Sequence, residues 1–446
     1  MRVSFLKQGK MRETLRTVMP WQNAGKDLVC MRRKIAVIGG GAAGMMAAIQ
    51  AAGAGAHVTV YEKNDRVGKK ILSTGNGKCN FSNEVMNAGC YYGSGSACVE
   101  ELYQRFGVGE TKAFFRKLGM RVRDRNGYLY PASEQAATVL DVLRYETERL
   151  GIRIDTGCSV TDIRRKKEAS EKGFLTVITK DRGEERYDAV ILACGGKAAP
   201  RTGSDGSGFA IAKKLGHRIV PVVPALTALR CEENYFKQVA GVRCDARLTL
   251  YIDERAVCSV RGELQLTDYG ISGIPVFQFS RVAAYALQKQ NRTVVGIDFM
   301  PEDEDNRFDN GPAFWNERWK RQKSQSMEQF VTGIVNKKIG LLLLKLSGIK
   351  ETDRAGSLSP SRRKKLEKLF RDLMVTVRET NSFEQAQVSA GGVDFGEVTD
   401  KLESVKVPGV FFAGEILDID GICGGYNLQW AWSSGAVAGR AAAEDI

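Results

Sequence analysis

KIAVIGGGAAG, residues Lys34 to Gly44, is a short β-branched apolar run that ends in glycines and opens into an alanine-rich segment. Apolar residues at consecutive positions read as a parallel strand buried on both faces. Ala42 to Ala54 reads as a helix and HVTVYEK (His57 to Lys63) as a second strand, which makes a βαβ unit. Its turn carries Gly39-x-Gly41-x-x-Gly44, and Glu62 closes the second strand. Each part has a physical job. Gly39 permits the tight turn, Gly41 lets backbone N–H groups reach a pyrophosphate at the helix N-terminus, and Gly44 lets helix and strand pack closely. Glu62 is placed to accept hydrogen bonds from the adenosine ribose hydroxyls.

Outward from this unit, the polar, glycine-rich RVGKKILSTGNGKCNFSN (Arg66 to Asn83) suits a cofactor that extends beyond the first turn. No second GxGxxG follows. FAD is therefore expected over a resident nicotinamide, with NAD(P)H a transient electron donor. The far end of the chain supplies a matching half. A strand, Val410 to Ala413, ends at Gly414-Glu415, and glycines 421, 424 and 425 precede a helix rich in small residues. The N-terminus of that helix can point backbone donors at the flavin N1–C2=O edge, where charge gathers on reduction.

Helix around Leu140 to Leu150 and strands up to YDAVILACGG (Tyr187 to Gly196) continue the parallel pattern to about residue 220. From Pro221 short β-like segments take over, among them ARLTLYID, ERAVCSV, GELQLTD and VVGIDFM. Residues from about 310 turn helical and charged, after the acidic linker PEDEDNRFDNG (Pro301 to Gly311). The reading is an α/β fold: a Rossmann-type domain over 33–220 and 384–446, an inserted β-rich domain over 221–309 and 373–383, and a helical subdomain over 310–372. Residues 1–32 read as a tail, an upstream start or a targeting-like extension, since Met31 directly precedes RRKIAVIGGG.

The formal charge of +14 favours anions, an acidic small-molecule substrate among them. Runs such as Arg164 to Lys167 and Arg362 to Lys365 lack interleaved aromatics, so nucleic-acid binding is not expected. Ten cysteines without a C-x-x-C pair, and only two histidines, argue against zinc and a dithiol centre. They fit a reduced, cytoplasmic setting. No apolar stretch is long enough to span a bilayer. Oligomeric state is not legible.

GGGAAG, TGNGKCN, QVSAGGVDFGEV and AGEILDIDGICGGYNLQWAWSSG together resemble the BaiN/YhiN-like flavoproteins, also called the aminoacetone oxidase family, over residues 33 to 446. The resemblance implies a two-dinucleotide-binding-domains flavoprotein fold with a β-barrel-like insertion, a small helical domain and noncovalent FAD. It implies diphosphate contacts from Gly39, Gly41, Ala43 and Gly44, and adenosine contacts from Glu62, Lys63 and the Val160 backbone. It further implies that Lys70, Thr74, Gly75, Asn76, Gly77 and Asn80 approach the ribityl and isoalloxazine groups, with Asp418, Gly425, Asn427, Leu428 and Gln429. Thr202 to His217 is similar to a stretch of the fumarate reductase and succinate dehydrogenase flavoproteins, where its role is mostly architectural. Many members carry a Thr-His pair where this chain reads Thr267-Asp268-Tyr269, so a histidine proton transfer does not carry over.

The activity implied is reduction, with NAD(P)H, of a conjugated C=C bond in a 3-oxo bile-acid-like substrate. Tyr269, Asp268 and Lys78 are candidate proton donors, each with a structural role as the plainer alternative. An amine oxidase of the aminoacetone type using oxygen, and a flavoprotein that binds RNA or a protein partner, are the alternatives. Cys79 and Cys423, inside the two flavin motifs, are candidate redox thiols or simply small apolar packing.

Overall fold

The computed structural model describes residues 32–166, 173–302 and 311–444; the reading of residues 1–32 as an extension falls outside them but for Arg32. Strand β1 (Lys34–Ile38) leads into helix α1 (Ala42–Gly53) and strand β2 (His57–Tyr61). Strands β3 (Arg153–Asp155), β4 (Ala189–Leu192) and β5 (Val410–Phe412) complete a parallel sheet of order β5-β4-β1-β2-β3. β4 and β5 are buried at every position, and β1 and β2 at all but the first, as strands covered on both faces must be.

One cover is the pair formed by α1 and the C-terminal helix (Tyr426–Ala443). Their backbones touch. A Cβ on Gly435 would sit 2.5 Å from the Ala43 carbonyl oxygen, and one on Gly439 2.3 Å from that of Ala47. The small residues of the last helix are therefore a condition of its close approach to the βαβ unit.

The inserted region closes into a barrel of six strands. Leu229–Cys231, Gly270–Gly273, Arg255–Leu266, Arg243–Ile252, Thr293–Asp298 and Leu373–Thr380 follow one another around it. A helix, Ile274–Gln288, lies between two of these strands, where the β-rich reading anticipates none. Its buried Val276, Phe279, Ala283 and Ala286 recur at helical spacing, and Pro275 sits in its first turn, where no backbone donor is lost.

Four further helices, Pro312–Arg321, Met327–Val331, Lys337–Ser347 and Pro360–Arg371, join the barrel in one hydrophobic core. Trp319 stacks on Phe330 at 4.0 Å between ring centroids. The chain enters and leaves this region on an antiparallel ribbon, Ile219–Ala225 against Val388–Val393. No helix among the described residues is long and apolar enough to cross a membrane.

Candidate cofactor and substrate cavity

All four strands β1, β2, β4 and β5 deliver their carboxyl ends to one cavity of about 1110 Å³. Residues Ile38 to Ala43, Tyr61 to Lys63, Ala193 to Gly195, Ala413 and Glu415 form its floor. This is where open α/β sheets bind ligands. The volume lies just above the roughly 300–1,000 Å³ usual for small-molecule sites, room enough for an elongated cofactor beside a substrate.

The glycines of the first turn divide their labour. Gly39 has φ +107°, and a Cβ there would lie 2.5 Å from the Ala193 carbonyl oxygen. At Gly44 a Cβ would lie 1.9 Å from the Gly39 oxygen, so the turn and α1 are in contact only because Gly44 lacks one, while Gly39 lacks one to clear the strand end at Ala193. Gly41 differs. It caps α1 with no side-chain hydrogen bond, in extended backbone at φ −82°, and no protein atom stands within 4 Å of its missing Cβ. The space it keeps clear belongs to the cavity.

Glu62 is buried beside this turn. Its Oε2 accepts from the Gly40 N–H at 2.9 Å and its Oε1 from the Asn64 N–H at 2.8 Å. Across the cavity, Thr202 to Asp205 close the same end, with Lys63 paired to Asp205 at 2.6 Å. The Thr202–His217 stretch, expected to be architectural, thus contributes cavity wall; its glycine-rich TGSDGSG is the signal that marks it. Val160 lines this end as well.

At the other end the loop Thr74–Gly77 folds as a 3₁₀ turn kinked by left-handed Gly75 and Asn76. Lys70 reaches across to Glu415 at 2.8 Å. Asn80 and Ser82 stand close against the distant C-terminal motif: a Cβ on Gly425 would lie 2.9 Å from Asn80 Oδ1 and 2.5 Å from the Ser82 oxygen. That Oδ1 is buried and has no partner among the described residues. Gly425, with φ +95°, begins the C-terminal helix without a side-chain cap. Asn427 and Leu428 follow it on the wall, and Asn427 also pins Gly421 through two hydrogen bonds of 2.8 and 2.9 Å.

Other residues singled out from the sequence lie elsewhere. Gln429 is wholly buried, accepting from Ser82 at 2.6 Å and donating to Thr111 and Ser433, so it ties the helix to its neighbours. Asp418 accepts from the Ser94 N–H at 2.8 Å, away from the wall. Gly77, at φ +82°, and Gly44, inside α1, do not line the cavity. Asp268 and Tyr269 do not line the cavity; the Tyr269 hydroxyl accepts from Asn381 at 2.9 Å, and Arg230 lies over its ring. Of the three proton-donor candidates only Lys78 reaches the wall.

The remaining walls were not legible in the sequence. Leu226, Ile274, Phe277 and Val388, from the barrel helix and the ribbon, present an apolar face. Arg125, Tyr128 and Tyr130 arrive on a small antiparallel sheet that caps the opening. The barrel helix is held in place by Gln278, which accepts from the Cys423 N–H at 3.1 Å, and by Arg281, 2.9 Å from Asp420.

Burial decides the behaviour of the ionisable groups here. It pushes the Cys79 thiol up to about 12 and raises that of Cys423, so neither is a thiolate near neutrality. Native protein treated with iodoacetamide at pH 8 is expected to stay unmodified at Cys79, as peptide mass mapping will show.

Asp420 is pushed up to about 7, because burial outweighs the attraction of Arg281. Its folded value lies above the unfolded value of about 3.9, so the native state holds more protons between about pH 4 and 7. The stability this carboxyl contributes is greatest below that window and is lost as pH rises through it. Asp420→Asn is therefore expected to gain stability relative to wild type as pH rises from 5 to 8 in thermal denaturation. A difference independent of pH would contradict this.

Known proteins bear on the site. The family model described as the HI0933-like protein Rossmann domain matches residues 33–441. The 3-dehydro-bile acid delta(4,6)-reductase of Clostridium scindens is 45% identical over 414 residues, spanning 92% of this chain and 99% of that protein. A ribosomal RNA dihydrouridine synthase of Haemophilus influenzae is 28% identical, spanning 89% and 95%. Among solved structures, the 3-ketosteroid-delta4-(5alpha)-dehydrogenase of Rhodococcus jostii RHA1 with 4-androstene-3,17-dione aligns at TM-score 0.46 and 16% identity, over 93% of this chain and 97% of that one.

Proposed function

The chain belongs to the HI0933-like Rossmann family, the BaiN/YhiN-like flavoproteins, and from that premise we propose that it is an FAD-dependent reductase of a C=C bond conjugated to a carbonyl in a 3-oxo steroid acid, with NAD(P)H as donor. The observation that carries this reading is the cavity itself. Two helix N-termini without capping side chains, an open cradle at Gly41 and Asn80 Oδ1, unpartnered among the described residues, face one end-to-end space walled on its far side by apolar residues of the barrel helix and the ribbon.

These residues fit FAD. The diphosphate would rest on the backbone of Gly39, Gly41 and Ala43, with Gly44 supporting the turn, and Glu62, Lys63 and Val160 would take the adenosine. Lys70, Thr74, Gly75, Asn76, Asn80, Gly425, Asn427 and Leu428 would surround the ribityl chain and ring, Gly77 would let the Thr74–Gly77 loop turn through its φ of +82°, and Asp418 and Gln429 would brace the neighbouring elements. When bound, FAD supplies two-electron hydride chemistry. The chain's own contribution is orientation and charge. The C-terminal helix would direct its positive end toward the ring, and Leu226, Ile274, Phe277 and Val388 offer a fused-ring substrate an apolar face.

The Clostridium relative's name supports the steroid acid. Anaerobic incubation with NADH or NADPH and a 3-oxo-4,6-diene steroid acid is expected to give a product two mass units heavier, stoichiometric with nicotinamide oxidation. No product with either nucleotide would overturn the reading, and turnover of aminoacetone with oxygen would replace it by the oxidase.

A second reading has an observation of its own. Residues 311–372 hold fifteen lysines and arginines against six aspartates and glutamates, whereas residues 33–310 and 373–446 balance at forty-four of each sign. Uracil in RNA also presents a C=C bond conjugated to a carbonyl, and the Haemophilus relative is named for that substrate. A salt-sensitive electrophoretic shift of ribosomal RNA at physiological ionic strength would favour it, and no shift would remove it.

A further inference from the structure

Resting on the steroid-acid reading, we propose that Lys78, Arg123 and Arg125 form an anion clamp at the cavity rim that binds the substrate's carboxylate and sets which end of the molecule enters first. The three cations converge on a single carboxylate. Arg123 lies 2.7 Å from Glu134 Oε1, Arg125 bonds the same oxygen, and Lys78 stands 3.5 Å from Oε2. Glu134 therefore positions them without neutralising them, and the cluster keeps two positive charges in excess.

The local fold dictates the convergence. Arg123 and Arg125 are two residues apart on the strand Val122–Arg125, so their side chains leave the same face. Glu134 reaches them from the turn after the partner strand Tyr128–Pro131, in a left-handed backbone conformation at φ +55°. Lys78 comes from the loop beyond Thr74–Gly77. Arg125 lies over the Tyr130 ring, 5.7 Å from its centroid, and Arg125, Tyr130 and Lys78 all belong to the cavity wall. An acid whose fused rings lie against the barrel face thus meets two uncompensated charges where its polar end emerges. This gives Lys78 a role as a binding group in place of a proton donor.

The clamp is partly exposed, with side-chain exposures of 49%, 54% and 40% for Lys78, Arg123 and Arg125, so its grip is screened by salt. The test is titration calorimetry of the FAD-loaded protein with a saturated steroid acid and with its methyl ester, which shares the nucleus and lacks the charge. Wild type is expected to prefer the acid, less so at high salt. Arg125→Gln and Arg123→Gln should each cut that preference about two- to fivefold. Glu134→Gln should increase it, because it removes the only anion of the cluster. That opposite sign separates binding from structural support, under which every variant would weaken both ligands alike.

An unchanged acid-to-ester ratio in the arginine variants would overturn the clamp, as would a wild type that binds neither ligand. So would a loss confined to NADPH, which would assign the charges to the dinucleotide's phosphates. The reductase reading stands or falls separately, on the product assay.

Discussion

Gly41→Val is expected to give a folded protein that no longer retains FAD. The position is extended, and its Cβ would meet no protein atom within 4 Å, so the chain alone tolerates the side chain. Valine is a poorer N-cap than glycine, at a cost of about 1 kcal/mol. The cofactor's cost is larger. The added methyls occupy the space through which a diphosphate reaches the N–H groups of α1, and affinity should fall at least about a hundredfold, equivalent to about 2.7 kcal/mol. Flavin content after dialysis, read beside thermal denaturation of the apoprotein, separates the two effects. Retained flavin would mean that the diphosphate lies elsewhere. Gly44→Ala is the contrasting control, since its Cβ falls 1.9 Å from the Gly39 oxygen and the fold must move.

The second large effect is expected from Gly439→Val. Here the Cβ lies 2.3 Å from the Ala47 oxygen and 2.9 Å from its Cα, both rigid backbone atoms inside a helix pair. The C-terminal helix must lift away from α1, and overpacking of this kind costs about 1–3 kcal/mol or more. The displacement travels along the helix to Gly425, Asn427 and Leu428 at the cavity, so flavin is lost along with stability. A variant with wild-type denaturation and flavin content would contradict the account of how this helix closes the site.

The sequence made the two ends of the site readable for a simple reason. Close approach of backbone to backbone, or of backbone to a phosphate, leaves glycines at fixed spacing, as at Gly39, Gly41, Gly44 and Gly425. Side chains that meet only through tertiary structure leave no such mark. Leu226, Phe277 and Val388 converge from three separate segments, and Arg123, Arg125 and Lys78 come together only because a small sheet folds over the cavity. The barrel helix Ile274–Gln288 escaped a β reading because Gly270–Gly273, a strand, runs directly into it. The concentration of positive charge over residues 311–372 needs the bounds of the helical region before it can be seen against a balanced remainder. Gln429 and Asp418 show the opposite limit. Their setting in a flavin motif marks them as conspicuous, yet the structure uses them to brace the elements that line the cavity.

The most direct measurement is anaerobic stopped-flow absorbance of the flavin-loaded protein, mixed first with NADH or NADPH and then with a 3-oxo-4,6-diene steroid acid. The visible flavin band is expected to bleach with the nucleotide and to return with the dienone. A band that bleaches with neither nucleotide, or that the dienone fails to restore, would contradict the reductase reading.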